Sequence, residues 1–327
     1  MEKNSMRCLV TGVAGFVGSH LAERLLKDGH EVWGIDGFID YYPRSIKERN
    51  LEGPSSWNTF HFIEGNLLEI NLFQILDGTD WVFHQAAQAG VRASWGKEFS
   101  RYTECNVLST QRLLETVLHV KGVQRFIYAS SSSVYGNTTS LPVNELVTPY
   151  PNSPYGVTKL AAEHLCTLYH RNFGVPTVSL RYFTVYGPRQ RPDMAFHRFS
   201  KAIVTHEPIH VYDDGLQTRD FTYISDVVEA NIRAAISDAA PGQILNIAGG
   251  SRVTIQQVLQ LLQEISGTTI NVMYSEKQYG DVRDTFADTK GAQKVLGYHP
   301  LVPLREGLAN EFEYILSLYK QVHTPVA

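Results

Sequence analysis

Apolar runs and helical periodicities alternate through the first half of the chain. Arg7–Gly12 (RCLVTG) has the length and β-rich content of a buried strand. Phe16–Gly29 then places Val17, Leu21, Leu25 and Leu26 at helical spacing, with Gly29 suited to the stop. Glu31–Asp36 is a second strand, and FHFIEG, ending at Gly65, stands where a third strand ends. Trp81–Ala87, Arg125–Ser131 and Thr177–Phe183 follow as strands, with Asn106–Val120 as a helix between the first two of these. Strand–helix–strand alternation predicts an α/β fold with a Rossmann-type doubly wound parallel sheet.

The pattern changes afterwards. Ile209–Ile224 reads as a hairpin with Asp214-Gly215 in its turn, and Asp226 as the cap of the next helix, with Glu229 three residues on. The expected division is a dinucleotide-binding domain of residues 1–185 plus 221–238. Residues 186–220 plus 239–327 form a smaller α+β substrate-binding lobe.

Composition narrows the classes. The 327 residues suffice for a large core, and 43% hydrophobic with 19% charged residues is ordinary for a soluble globular protein. A net charge of −4 gives no basic footprint for nucleic acid. No apolar run approaches membrane-spanning length and no signal segment opens the chain. Three widely spaced cysteines (Cys8, Cys105, Cys166) form no metal or disulfide pattern. The expectation is a cytoplasmic protein with no bound metal, no membrane partner and no nucleic-acid partner.

Two stretches carry chemistry. Gly12, Gly15 and Gly18 follow a strand and open a helix, where glycines permit close approach of a pyrophosphate and the helix N-terminus offers free N–H groups. Asp36 ends the second strand about 20 residues on, where a carboxylate binds ribose hydroxyls and repels a 2′-phosphate, which favours NAD over NADP; Arg44 and Lys47 nearby weigh the other way. Asn66-Leu67 sits where adenine would be met. The second stretch is Asn152–Gly174, one helix with Ser153 as cap, Pro154 in the first turn and Gly174 at its end. Tyr155 and Lys159 share a face of it, and of seventeen tyrosines only this one has a lysine four residues later. An ammonium beside a phenol stabilises the phenolate, so Tyr155 suits a general base. Ser130–Ser133 lie at the end of a strand, which argues against a bare polar linker.

The glycine array, SSSSVYG, YGVTK and RDFTYISDV, in this order and spacing, resemble extended short-chain dehydrogenase/reductases acting on nucleotide-sugars, the NAD-dependent epimerase/dehydratase family. The resemblance runs over nearly the whole chain. It implies Ser131, Tyr155 and Lys159 as catalytic residues. Around bound NAD it implies Gly12, Gly15, Phe16, Val17, Gly18, Asp36, Asn66, Leu67, Ala86, Ala87, Gln88, Asn106 and Tyr182, with Tyr155 and Lys159. It also implies a homodimer.

Within that family, Arg181–Phe196 (RYFTVYGPRQRPDMAF) is similar to UDP-glucuronate 4-epimerases. The match puts Thr184 and Arg191 near a sugar carboxylate, and adds Arg92 at a strand's C-terminal edge. Arg219 and Arg283 would clamp the diphosphate, and Val211 and Tyr212 would meet uracil. Relatives that dehydrate or decarboxylate carry Asp or Glu in the serine loop. Ser132 and Ser133 stand there instead, and a hydroxyl donates to an anion but is a poor acid. The implied activity is interconversion of UDP-glucuronate and UDP-galacturonate. UDP-glucose or UDP-N-acetylglucosamine 4-epimerisation, UDP-glucuronate decarboxylation and non-catalytic NAD sensing are the rivals. Gln85 departs from the apolar residues common at its position.

Overall fold

The computed structural model describes residues 5–138, 140–276 and 278–319. The first half runs β1 (Arg7–Thr11), α1 (Phe16–Lys27), β2 (Glu31–Asp36), α2 (Arg44–Ser55), β3 (Phe60–Glu64), α3 (Leu72–Leu76), β4 (Trp81–His84), α4 (Phe99–Tyr102), α5 (Ser109–His119) and β5 (Arg125–Ser131). Then come α6 (Pro154–Phe173), β6 (Thr177–Tyr182), β7 (Val185–Tyr186), α7 (Ala195–Val204), β8 (Ile209–Tyr212), β9 (Thr218–Asp220), β10 (Thr222–Tyr223) and α8 (Ile224–Ile236). The chain closes with β11 (Ile244–Ile247), β12 (Arg252–Thr254), α9 (Ile255–Ser266), β13 (Val272–Ser275), α10 (Lys290–Leu296) and α11 (Leu304–Tyr319).

Seven strands form one sheet in the order β11-β6-β5-β4-β1-β2-β3, with every neighbour parallel. Its central strands are buried along almost their whole length because helices cover both faces. Val10 and Phe83 join α1 and α8 in one core, and Leu9 and Val82 join α3, α5 and α6 in the other. The chain leaves β1 toward β2 and β3, then returns to β4 on the opposite side. That reversal leaves a crevice at the strands' C-terminal ends, where ligands of such sheets bind. A third core, of Phe196, Ile209, Val211, Val258 and Leu308 among others, holds the smaller lobe together.

Several sequence expectations need correction. Residues 209–224 are no hairpin: β8 pairs in parallel with β13 and β9 pairs antiparallel with β12. The Asp213–Gly215 turn exists, but the strands it joins diverge to those partners. Asp226 does not cap α8. The cap position is Tyr223, and the Asp226 carboxylate instead accepts from the amides of Leu301 and Val302 at 3.0 and 3.4 Å. Ile244–Ile247, placed in the smaller lobe by the sequence division, is the seventh strand of the central sheet, and Ala292 and Leu296 of α10 pack in the same core. Finally, the helix expected over 106–120 begins with a π-helical segment, Thr103–Leu108, which turns Asn106 inward.

Candidate active site

The β1–α1 turn forms one wall of the crevice. Gly12 adopts φ 68°, and a Cβ on Gly18 would lie 2.2 Å from the Gly12 carbonyl oxygen, so only glycine lets helix and turn pack this closely. Gly15 caps α1 without any side-chain bond to its first amides, and Gly12, Gly15, Phe16, Val17 and Gly18 all line the crevice. An anion is the fitting partner for those amides and for the helix dipole. Asp36 closes the wall. Its two carboxylate oxygens accept from the Ala14 and Phe38 amides at 3.1 and 2.9 Å, which leaves further lone pairs facing the crevice. Burial raises its pKa against those two bonds and the Lys47 charge. Lys47 is itself held, donating to the Ile39 carbonyl at 2.7 Å, and Arg44 is engaged by Glu48 and Glu64. Donors, carboxylate and close backbone approach fit NAD.

Asn66, Leu67, Ala86, Ala87, Gln88 and Tyr182 also line the crevice. Asn106 does not. It sits behind, accepting from the Gln88 amide at 2.7 Å and donating to the Gln88 carbonyl and the Thr158 hydroxyl, so it shapes the Gln88 loop from within. Gln85 finds a role that its polarity suggested only as a mismatch: it donates to Asn231, which exchanges hydrogen bonds with the Tyr182 hydroxyl.

The serine run divides its work. Ser130 points into the core and donates to Glu163 at 2.6 Å. Ser131 ends β5, accepts from the Ser133 amide at 3.1 Å and lines the crevice with Ser132 and Ser133. Tyr155 lies opposite, in the first turn of α6, whose Ser153 cap accepts from Gly156 at 3.1 Å and whose Gly174 takes φ 73°. Burial raises the Tyr155 pKa, and a hydrogen bond with the Ser131 hydroxyl and the charge of Arg191 oppose the rise. Lys159, on the same face of α6, lines the crevice with Tyr155. Lys159 turns to the Ala129 carbonyl at 2.7 Å, and burial pushes its own pKa down to about 7. The charge of Arg191 also bears on Tyr155.

Thr184 and Arg191 line the same crevice. The other expected substrate residues gather elsewhere, where Arg92 of the larger domain meets Asp281 and Tyr212 of the smaller lobe. Arg92 is in a 3₁₀ turn (Arg92–Ser94), not at a strand edge; it pairs with Asp281 at 2.7 Å and lies 4.2 Å over the Tyr212 ring. Arg219 donates to the carbonyls of Thr218, Val282 and Arg283, and Arg283 pairs with Asp213 and Asp214. Val211 is buried, and its carbonyl accepts from Ser275. None of these five borders the crevice that holds Tyr155.

Sequence reasoning missed the support beneath the serines. Arg181 and Glu163, both buried, form a two-point ion pair, and Arg181 also donates to the Tyr135 hydroxyl at 2.7 Å. A lone arginine within the apolar strand TVSLRYF was the available signal.

The family model described as NAD dependent epimerase/dehydratase matches residues 8–248. A UDP-glucuronic acid 4-epimerase from Bacillus cereus, solved with UDP-glucuronic acid and NAD, is 45% identical with a TM-score of 0.93, covering 96% of this chain and 100% of that one. An uncharacterised UDP-glucose epimerase of Bacillus subtilis, YtcB, is 46% identical over 96% of this chain and 99% of its own length. The UDP-glucuronate 4-epimerase of Thermodesulfobacterium geofontis is 37% identical over 92% and 93% of the two chains. The chain belongs to the NAD-dependent epimerase/dehydratase family.

Proposed function

We propose that the protein is a UDP-glucuronate 4-epimerase that interconverts UDP-glucuronate and UDP-galacturonate. The observation that carries this reading is the placement of Arg191 and Tyr155 on one crevice, close enough for the Arg191 charge to favour the phenolate. In a uronate the carboxylate is on C5, next to the carbon whose hydroxyl reacts. A residue that holds the carboxylate must therefore neighbour the base that serves C4. The relatives named for UDP-glucuronate support the same substrate.

Bound NAD supplies the two-electron oxidation and reduction at C4. Tyr155 Oη takes the proton of the sugar 4-hydroxyl and gives it back, with the Ser131 hydroxyl hydrogen-bonded beside it. Lys159 anchors the base helix to β5. Gly12, Gly15 and the first amides of α1 hold the cofactor's pyrophosphate, and Asp36 its adenosine ribose. Arg219 and Arg283 serve the diphosphate once their present partners are exchanged, with Tyr212 at the base.

A 4-keto uronate is a β-keto acid. It loses CO₂ when the C5–carboxylate bond stands perpendicular to the carbonyl plane, because the breaking bond then feeds the enolate. Thr184, Arg191 and the Ser132 and Ser133 hydroxyls hold the carboxylate near that plane through charge-assisted hydrogen bonds. Asp36, at the cofactor's ribose end, is the one carboxylate among the described lining residues, so no acid stands ready to protonate an enolate.

We infer further a cytoplasmic homodimer. Its cysteines are free, and exposed Leu108, Val157 and Leu168 border or ride the adjoining helices α5 and α6. No helix among the described residues is long and apolar enough to cross a membrane. The test is turnover of UDP-glucuronate against UDP-glucose without added cofactor, with products resolved by NMR. UDP-galacturonate is expected from the first and little UDP-galactose from the second; the reverse preference refutes the assignment in favour of the UDP-glucose epimerase that YtcB is named for.

A further inference from the structure

Arg191 reaches the crevice already engaged. Its Nε donates to Asp193 Oδ1 at 3.0 Å and its Nη2 to Oδ2 at 2.9 Å, the parallel two-point geometry in which a guanidinium meets a carboxylate. Tyr41, on the loop after β2, donates to the same Oδ2 at 3.3 Å. Its ring lies 5.8 Å from the guanidinium carbon. Arg191 and Tyr41 line the crevice, and Asp193 does not. The Asp193 side chain is 40% exposed and the Arg191 side chain 21%, so the pair can open without rupturing a core.

We propose that Asp193 is a resident stand-in for the sugar carboxylate, a positioning residue that keeps the Arg191 fork shaped and neutralised until a uronate claims it. The inference rests on the uronate reading above. The Nε–Nη2 edge of a guanidinium presents two parallel donors and serves one carboxylate at a time. An arriving C5 carboxylate either displaces Asp193 from that edge or sets a second negative charge beside it. Both routes oppose binding, so UDP-glucuronate binds more weakly than an unpaired Arg191 would allow. A neutral UDP-hexose makes no claim on the fork and is indifferent to Asp193. Asp193 thus tunes sugar preference, and it prevents Arg191 from attracting unrelated anions in the free enzyme. Because it acts through Arg191, its loss should separate the two sugars, whereas a general distortion of the crevice would weaken both.

The experiment is calorimetric titration of the NAD-loaded wild type, Asp193→Asn, Asp193→Ala and Asp193→Glu with UDP-glucuronate and with UDP-glucose. For Asn and Ala, the UDP-glucuronate Kd is expected to fall about tenfold, the worth of one charge-assisted hydrogen bond no longer surrendered. The UDP-glucose Kd should stay within about twofold, and Asp193→Glu should return UDP-glucuronate affinity toward wild type. Folded Asn and Ala variants that bind UDP-glucuronate no more tightly than wild type, or that weaken both ligands together, overturn the stand-in role and leave the uronate reading intact. Wild-type protein that binds UDP-glucose and rejects UDP-glucuronate overturns both.

Discussion

Lys159 Nζ donates to the main-chain carbonyl of Ala129 at 2.7 Å, which pins the helix carrying Tyr155 to the strand that ends in Ser131. The ammonium is held in a buried place, and burial lowers its pKa from 10.5 to about 7. Between those values the unfolded chain binds a proton that the folded chain lacks, so this group makes stability rise with pH. Its contribution is fully present above 10.5 and is lost as pH falls through about 7. Thermal unfolding of the cofactor-free protein between about pH 6.5 and 9 should therefore show a rise in Tm that Lys159→Met flattens. An equal slope in the variant would contradict a depressed Lys159.

Replacing Tyr155 by Phe removes the proton carrier and little else, because the ring remains. Turnover should fall by roughly 10²–10⁴-fold, the usual worth of a general acid–base group, with UDP-sugar affinity largely kept. Steady-state rates and a Kd from calorimetry check both halves. Near-normal turnover would move the base elsewhere.

Asp36 is positioned by the Ala14 and Phe38 amides to present its remaining lone pairs to the crevice. Asp36→Ala should weaken NAD binding by about tenfold to a hundredfold, the range of hydrogen bonds to a charged group, and narrow the preference over NADP. Fluorescence titration with the two cofactors measures this. Unchanged NAD affinity would exclude the ribose contact.

Arg191→Ala takes away the restraint on the C5 carboxylate. Part of the flux from UDP-glucuronate should divert to CO₂ and a UDP-4-keto-pentose, with the hydride from C4 left on the bound cofactor as NADH, read by CO₂ capture, mass spectrometry and NADH absorbance. Clean epimerisation by the variant would mean that Thr184 and the serines suffice.

Much of this was legible in the sequence because it depends on local pattern. The glycine turn, the Ser153 cap, the Tyr155–Lys159 face and the parallel sheet follow from spacings within one element or between adjacent ones. What failed depends on distant partners. The Asp214-Gly215 turn is present, yet nothing within residues 209–224 reveals that β13 and β12 claim its flanking strands. Asp226 has the composition of a cap, but Leu301 and Val302 reach it from 75 and 76 residues away. Lys159 shares the crevice with Tyr155 as their spacing suggests, but its bond to the Ala129 carbonyl, 30 residues away, is not visible in that spacing. The partners that Arg92, Arg219 and Arg283 hold in the fold, carboxylates for Arg92 and Arg283 and carbonyls for Arg219, are likewise not shown by sequence spacing.

The central claim is that the hydrogen on C4 of a UDP-uronate leaves and returns to that same carbon with its configuration inverted. UDP-glucuronate deuterated at C4, incubated in ordinary water without added cofactor, tests it in one NMR experiment. The account predicts UDP-galacturonate that keeps deuterium at C4. A UDP-pentose accompanied by CO₂ as the main product, or UDP-galacturonate carrying solvent hydrogen at C4, would contradict it.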